Sequence, residues 1–401
     1  MRFPAASLLH SLVVLAALNG AAFAAEGTLV TGSSRVEATF RRVDAGGKFV
    51  FDVAGNARTV AADDLIAWGT PAESGQGVHV VLERDGLIVA TEVSLADETL
   101  DVAGTIVWGE SRRTPLLKVP LAQVAGVLFQ PSADTAARDH MMLSIASNEV
   151  DAERLFLANG DELSGTIVQL SPTQIEFESR VGVLEVELEK VAAVALDPAL
   201  RENSDPVAKG VMVGLADGSR LEVKSLTADD KTATLRIDDD TEWHVDTSEI
   251  VWLLPAHENV TWLSDLEPAS YRHLPFLDLE WPYRLNRAVA GGFLRQDGQL
   301  YLKGVGMHST ARLSWDLDQP YRRFEADLAL DDSAGKRGSV VFRVFTDGKE
   351  AFASNVVRGG DAPQAISVDV SGARRLSLIV DFADRGDELD HADWLNARLV
   401  R

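Results

Sequence analysis

Leu155-Phe156-Leu157-Ala158-Asn159-Gly160-Asp161 and Val211-Met212-Val213-Gly214-Leu215-Ala216-Asp217-Gly218-Ser219 follow one pattern, an apolar strand running into an Asx-Gly turn. In each case two alternating strands follow and a short apolar run closes the unit. The closing runs are Val191-Ala192-Ala193-Val194 and Ile250-Val251-Trp252-Leu253. The turn glycines, Gly160 and Gly218, lie 58 residues apart and the closing valines, Val194 and Val251, lie 57 apart. Two copies of nearly equal internal length indicate a repeat architecture. Asx-Gly between alternating apolar positions predicts a hairpin, because Gly and Asn tolerate positive φ.

Working outward, a looser copy begins at Val78-His79-Val80-Val81-Leu82-Glu83-Arg84-Asp85-Gly86 and ends near Val127-Leu128-Phe129. A degenerate first copy spans Val36 to Trp68. Leu184, Val186 and Leu188 alternate with acidic residues, the pattern of a half-exposed sheet. Each unit is therefore expected to be a small, strongly bent antiparallel sheet or barrel. Between the second and third copies, Pro131-Ser132-Ala133-Asp134 opens a helical segment reaching about Ala146, with Asp134 as N-cap. Its Met141, Met142 and Ile145 are expected to pack on a neighbour, and the segment reads as a spacer. The units resemble small Sm-like barrels in outline, but acidic runs such as Asp238-Asp239-Asp240 stand where RNA binding requires basic and polar loops.

Arg2, the apolar run Leu8 to Leu18 and Ala22-Phe23-Ala24 have the order of an export signal cleaved after Ala24. The apolar run is shorter than the ~20 residues that cross a bilayer. The expected location is the periplasm, the cell surface or the extracellular space, without stable membrane insertion. The chain has no cysteine, so no disulfide or thiolate site supports it, and its 46% hydrophobic content must supply the core. The net charge is −23, from 61 acidic and 38 basic side chains. Nearly all of that excess precedes Pro255. Such a surface disfavours nucleic acid and anionic lipid, and leaves the acidic repeats as a possible contact for a protein partner.

From Val260 the texture changes to aromatics, Arg and Gly with long polar loops. Val340 to Phe345, Ala365 to Val370 and Leu376 to Asp381 read as strands of a β-sandwich. Four ordered stretches then stand out: Lys303-Gly304-Val305-Gly306-Met307-His308-Ser309; Tyr321 to Phe324 with Leu330-Asp331-Asp332 before Gly338 to Val344; Asp347-Gly348 with Arg358-Gly359-Gly360-Asp361-Ala362-Pro363; and Asp390-His391-Ala392-Asp393-Trp394-Leu395-Asn396-Ala397-Arg398-Leu399. With these motifs the sequence resembles the NPCBM family of carbohydrate-binding modules over roughly Trp262 to Arg401. The resemblance implies a galactose-binding-like jelly roll of two antiparallel sheets, with ligand loops at one end and a glycan or polysaccharide as partner. It also implies a structural calcium, for which Asp381, Asp384, Asp390 and Asp393 are the candidate ligands in a loop that also holds Asp387 and Glu388.

The fold expected is mainly β. Residues 1–24 are the signal, 25–130 the first two repeats, 131–152 the helical linker, 153–254 the third and fourth repeats, and 255–401 the jelly roll. Sugar recognition needs directional polar partners and a flat apolar face. His308, Asp331, Asp332, Asp390, His391 and Trp394 are the ligand-binding candidates. The bland alternatives are a core position for Trp394, a loop carbonyl as partner of His308, and a turn capped by Asp331-Asp332. Tyr271 to Phe276 and Glu280-Trp281-Pro282 are expected to pack the jelly roll onto the preceding barrel. There is no H-E-x-x-H, G-x-S-x-G or phosphate-binding glycine loop, so no catalytic role is expected. A protein-contact role and a glycoside hydrolase are the alternatives.

Overall fold

The computed structural model describes residues 25–106, 116–201, 210–256, 258–275 and 279–401. The expected export signal lies outside them.

The first half contains four copies of one unit. The first has strands Glu26–Thr31, Arg35–Val43, Phe49–Val53, Asn56–Val60 and Leu65–Gly69, with a 3-10 turn at Ala62–Asp64 before the last strand. The others run over Val78–Leu128, Glu153–Ala195 and Val211–Pro255, each with the same 3-10 turn. In each unit the first strand pairs with both the second and the last, which is the fifth in the first three units and the sixth in the fourth, where Arg220–Val223 and Ser225–Ala228 are separate strands. A register shift interrupts every pairing of first with last strand, and such bulges bend a short sheet on itself. The first copy is complete rather than degenerate and begins ten residues before Val36, at Glu26. Its opening strand, Glu26–Thr31, lacks the Asx-Gly turn that marks the other copies, which is why the sequence pattern starts late.

The turns are close copies. Gly160 N–H donates to Leu157 O and Gly218 N–H to Leu215 O, both at 3.0 Å. Only the glycine is left-handed, at φ +91° in both, so the turn is a three-residue loop closed by a glycine bulge.

The units join in pairs through their last strands. Val127 lies opposite Val194, joining the second and third, and Leu253 opposite Trp68, joining the fourth and first. Both seams require a glycine. A Cβ on Gly126 would lie 2.1 Å from Val194 O, and one on Gly69 would lie 1.9 Å from Val251 O.

The helix Thr135–Ala146 is capped by Asp134, whose carboxylate accepts from Ala137 N–H at 2.8 Å. It lies across the seam of units two and three with Met142 and Ile145 buried. The expected spacer is thus part of the core. Its Asp139 is fully buried, a position that requires a charged partner.

Residues 258–401 form two facing antiparallel sheets. One runs in the order Arg284–Leu285, Gly304–His308, His391–Val400, Arg323–Leu330, Gln364–Asp369, with Val260–Trp262 also on His391–Val400. The other runs Ser270–His273, Ala311–Asp316, Arg375–Phe382, Ser339–Thr346, Lys349–Ala353. Val260 lies opposite Val400, so the two ends of the sandwich chain meet. Trp315, Phe324, Phe342 and Trp394 fill the space between the sheets, which is the expected jelly roll.

A hairpin, Leu294–Gln296 with Gln299–Tyr301, leaves the sandwich and docks it on the barrels. Phe293, Leu300 and Leu302 pack with Ile66, Met142, Trp252 and Leu254. Arg295 binds Asp139 and Glu73, and Glu73 also binds Arg138. On the other flank Arg35 holds Asp327 through two hydrogen bonds of 2.8 Å.

Candidate functional site

The pairing of Gly304–His308 with His391–Val400 sets His308 directly opposite His391, at the end of the sheet where both strands meet loops. Their ring centroids are 5.8 Å apart. Trp281, on the loop between Ser270–His273 and Arg284–Leu285, closes over them. Its ring is parallel to that of His308 at 4.7 Å and lies 5.5 Å from that of His391.

Three contacts hold the backbone around Trp281 in place. Tyr271 Oη donates to the Trp281 carbonyl at 2.6 Å, the Trp281 backbone N–H donates to His273 Nδ1 at 3.2 Å, and Tyr271 packs on Tyr283 at 5.0 Å. Because His273 Nδ1 accepts, its Nε2 carries the proton and donates to Ser309 O at 3.0 Å. His308 donates from Nδ1 to the same carbonyl at 2.8 Å. Burial pushes the His308 and His391 imidazoles below their ordinary value, so both are neutral at neutral pH. In this tautomer His308 Nε2 is an acceptor. His391 Nδ1 and Ser333 Oγ share a hydrogen bond of 2.8 Å.

Trp281 and His273 are half-buried and Ser333 is exposed, whereas His308 and His391 are buried beneath them. The site is an indole plate with imidazoles under and beside it and a hydroxyl at its edge. A ring with an apolar C–H face and peripheral hydroxyls suits such a surface.

The other ligand candidates serve the fold. Trp394 is fully buried, edge-on to Phe342 at 4.9 Å, because strand alternation points it between the sheets. Asp390 is also fully buried, and its two oxygens accept from Ser309 Oγ at 2.5 Å and Ser339 N–H at 2.9 Å. Burial raises its carboxyl to about 6. Asp331 accepts from Arg295 N–H and Ser333 N–H, and Asp332 from Asp297 N–H and Gly298 N–H. The two aspartates therefore clamp the docking hairpin, and burial corrects the ligand role expected of Trp394, Asp390 and Asp331, while Asp332 stays exposed. His308 and His391 remain, as the base of the site.

The carboxylates expected to hold calcium do not fit that ion. Asp381 binds Arg343 at 2.8 Å, Asp384 binds Arg358 at 2.7 Å, and Asp390 is occupied as described. Asp393 points the other way, buried beside Asp331, and burial raises its carboxyl well above the usual range. Among the described residues no group of three or more histidines and carboxylates could hold a metal ion.

The expectation that Tyr271 to Phe276 and Glu280-Trp281-Pro282 pack the sandwich onto the preceding barrel is corrected: Phe276 lies outside the described residues, Tyr271, His273 and Trp281 build the loop end of the sandwich, and the docking belongs to Phe293 to Leu302. The concentration of Tyr271, His273, Trp281 and Tyr283 in one short stretch of the chain was the available signal for Trp281.

The NPCBM/NEW2 domain profile matches residues 259–400, so this part of the chain is an NPCBM/NEW2 domain. Alpha-1,3-galactosidase B of Akkermansia muciniphila is 33% identical over 117 residues, 28% of this chain and 15% of that protein. The chain spans 7% and 15% of the length of the curated relatives it matches. Among solved structures, CBM51 from Clostridium perfringens GH95 in complex with methyl-galactose is 23% identical. That match covers 35% of this chain and 99% of the other, with a TM-score of 0.32. CBM51-2 in complex with GlcNAc and INT domains from Clostridium perfringens ZmpB is 24% identical, covering 50% of this chain and 45% of the other, with a TM-score of 0.33. Membership of a carbohydrate-binding family supports glycan binding by residues 259–400.

Proposed function

We propose that the protein is an exported, non-catalytic glycan-binding protein in which four acidic β units carry one sugar-binding jelly roll. The parallel stack of Trp281 on His308 is the observation that carries this reading, since it holds an indole at the loop end of the sandwich beside neutral imidazoles. A pyranose lies with its C–H face on the Trp281 indole, and its hydroxyls meet the exposed Ser333, which is hydrogen-bonded to His391 beneath it. The carboxylates around the site support a binding role, because Asp390 and Asp331 are engaged by the protein's own N–H and O–H groups. A single shallow site is expected to bind weakly, a Kd near 1 mM corresponding to about −4 kcal/mol, so retention depends on polymeric glycan and avidity.

The test is a glycan array and affinity electrophoresis on polysaccharide with the full chain, comparing it with Trp281→Ala and adding competing free sugar. Retention that free sugar and Trp281→Ala both remove supports the reading. A folded chain that no glycan retains transfers the role to protein contact. The third unit, where Val181 and Val183 are exposed among glutamates, is then the surface to examine.

A further inference from the structure

A cavity lies beyond the opposite end of strand Gly304–His308 from the Trp281–His308 stack, where the sandwich meets the fourth and second barrel units. It measures about 340 Å³, within the range of small-molecule sites, which occur preferentially at domain junctions. Its apolar wall is built from both sides of the junction, with Met212 and Trp252 from the fourth unit and Trp262 and Leu302 from the sandwich. The rim carries two ion pairs, Lys303 with Asp265 at 2.5 Å and Arg84 with Glu222 at 2.8 Å.

This combination narrows the ligand. Each rim pair is neutral in sum, and the remaining lining carboxylate, Asp85, is paired with Arg287, so the cavity favours neither an anion such as a phosphate nor a cation. Trp252 and Trp262 supply flat apolar surface. An ammonium has three donors and a carboxylate about four acceptor positions, so the Lys303–Asp265 pair can serve adjacent hydroxyls of one ligand as donor and acceptor together. A neutral ring compound with an apolar face and vicinal hydroxyls meets all three conditions.

We propose that this cavity is a second carbohydrate site, taking one or two neutral sugar residues between barrel and sandwich. Its walls belong to separate units, so occupancy also clamps the sandwich to the barrels. The proposal stands independently of the Trp281 site.

The experiment uses the full chain and a panel of methyl pyranosides of galactose, glucose, mannose and N-acetylglucosamine. Binding is followed by saturation-transfer NMR and by tryptophan fluorescence. In the Trp281→Ala chain at least one panel sugar is expected still to bind and to change the fluorescence. That binding is expected to fall at least tenfold when Lys303→Ala removes the rim donor or Met212→Trp fills the cavity. Circular dichroism and thermal melting of each variant confirm folding. The proposal is overturned if the folded Trp281→Ala chain binds no panel sugar up to about 50 mM, well above the ~1 mM of a weak single site. Residual binding that is insensitive to both cavity variants overturns it equally. Loss of binding in Trp281→Ala alone would leave the first site standing and remove the second.

Discussion

The indole of Trp281 and the imidazole of His308 lie parallel, 2° apart in plane and 4.7 Å between centroids, while Trp394, in the motif that identifies the module, is sealed between the sheets. The two tryptophans therefore answer differently to the same substitution. Trp281→Ala removes a half-buried plate and is expected to weaken glycan binding at least tenfold with little change in melting temperature. Trp394→Ala empties a core position and is expected to cost about 3–5 kcal/mol of stability. Glycan binding and urea unfolding measured on both variants check the separation. Binding lost in Trp394→Ala at full stability would overturn the assignment.

Two buried groups oppose each other as pH falls. His79 is fully buried and its imidazole is pushed down to about 4 from an ordinary 6.5. Between those values the unfolded chain binds the extra proton, so this group makes stability rise with pH through the window. Asp390 is pushed up to about 6, mainly by burial. Between about 4 and 6 the folded chain keeps its proton while the unfolded chain loses it, so this group makes stability fall as pH rises. Asp390→Asn retains an oxygen for Ser339 N–H and an amide for Ser309. The stability of this variant relative to the parent is therefore expected to increase from pH 4 to pH 6. Urea unfolding at intervals across that range tests the sign, and a flat difference would remove Asp390 from the account.

Arg295 connects the two halves through charge. It binds Asp139, a fully buried carboxylate on the helix, together with Glu73. In Arg295→Ala, Asp139 keeps only the Phe293 N–H at 2.8 Å as partner from the sandwich. Removing one member of a buried pair costs about 3–5 kcal/mol. Barrels and sandwich are expected to melt as one transition in the parent and as two in the variant, by calorimetry. A single unshifted transition would show that apolar contacts at Phe293 and Leu302 are sufficient for docking.

The repeats were legible because their signal is local. Asn159-Gly160 and Asp217-Gly218 announce their turns, and the alternation around Leu184 and Val186 announces a half-exposed sheet. The sandwich was legible through its motifs, yet those motifs are largely structural. His391, Asp393 and Trp394 are neighbours in sequence that face different surroundings, and only the register with Val305, Gly306 and His308 separates them. Trp281 was obscure for the opposite reason. Its place over His308 depends on a loop held by Tyr271 and His273, and no spacing in the sequence encodes that closure. The seams were equally hidden, since pairing between the closing strands joins residues far apart in the chain.

Gly126 tests whether the seam of units two and three is built as tightly as it is drawn. A Cβ there would lie 2.1 Å from Val194 O and 2.7 Å from Ile145 Cγ2, so neither the partner strand nor the helix leaves room for a methyl group. Gly126→Ala is expected to cost about 1–3 kcal/mol by overpacking. Gly160→Ala is the control, because its Cβ would meet nothing within 4 Å and the cost is only that of the left-handed backbone, about 1–2 kcal/mol. The totals overlap, so stability alone does not distinguish the two. Hydrogen exchange does. In Gly126→Ala the strands must part where the helix covers them, and the amides of Met142 to Ala146 are expected to exchange faster. In Gly160→Ala only the hairpin around Leu157 and Asp161 is expected to loosen. Unchanged protection of the helix in Gly126→Ala would mean that the fifth strands can shift apart without disturbing it.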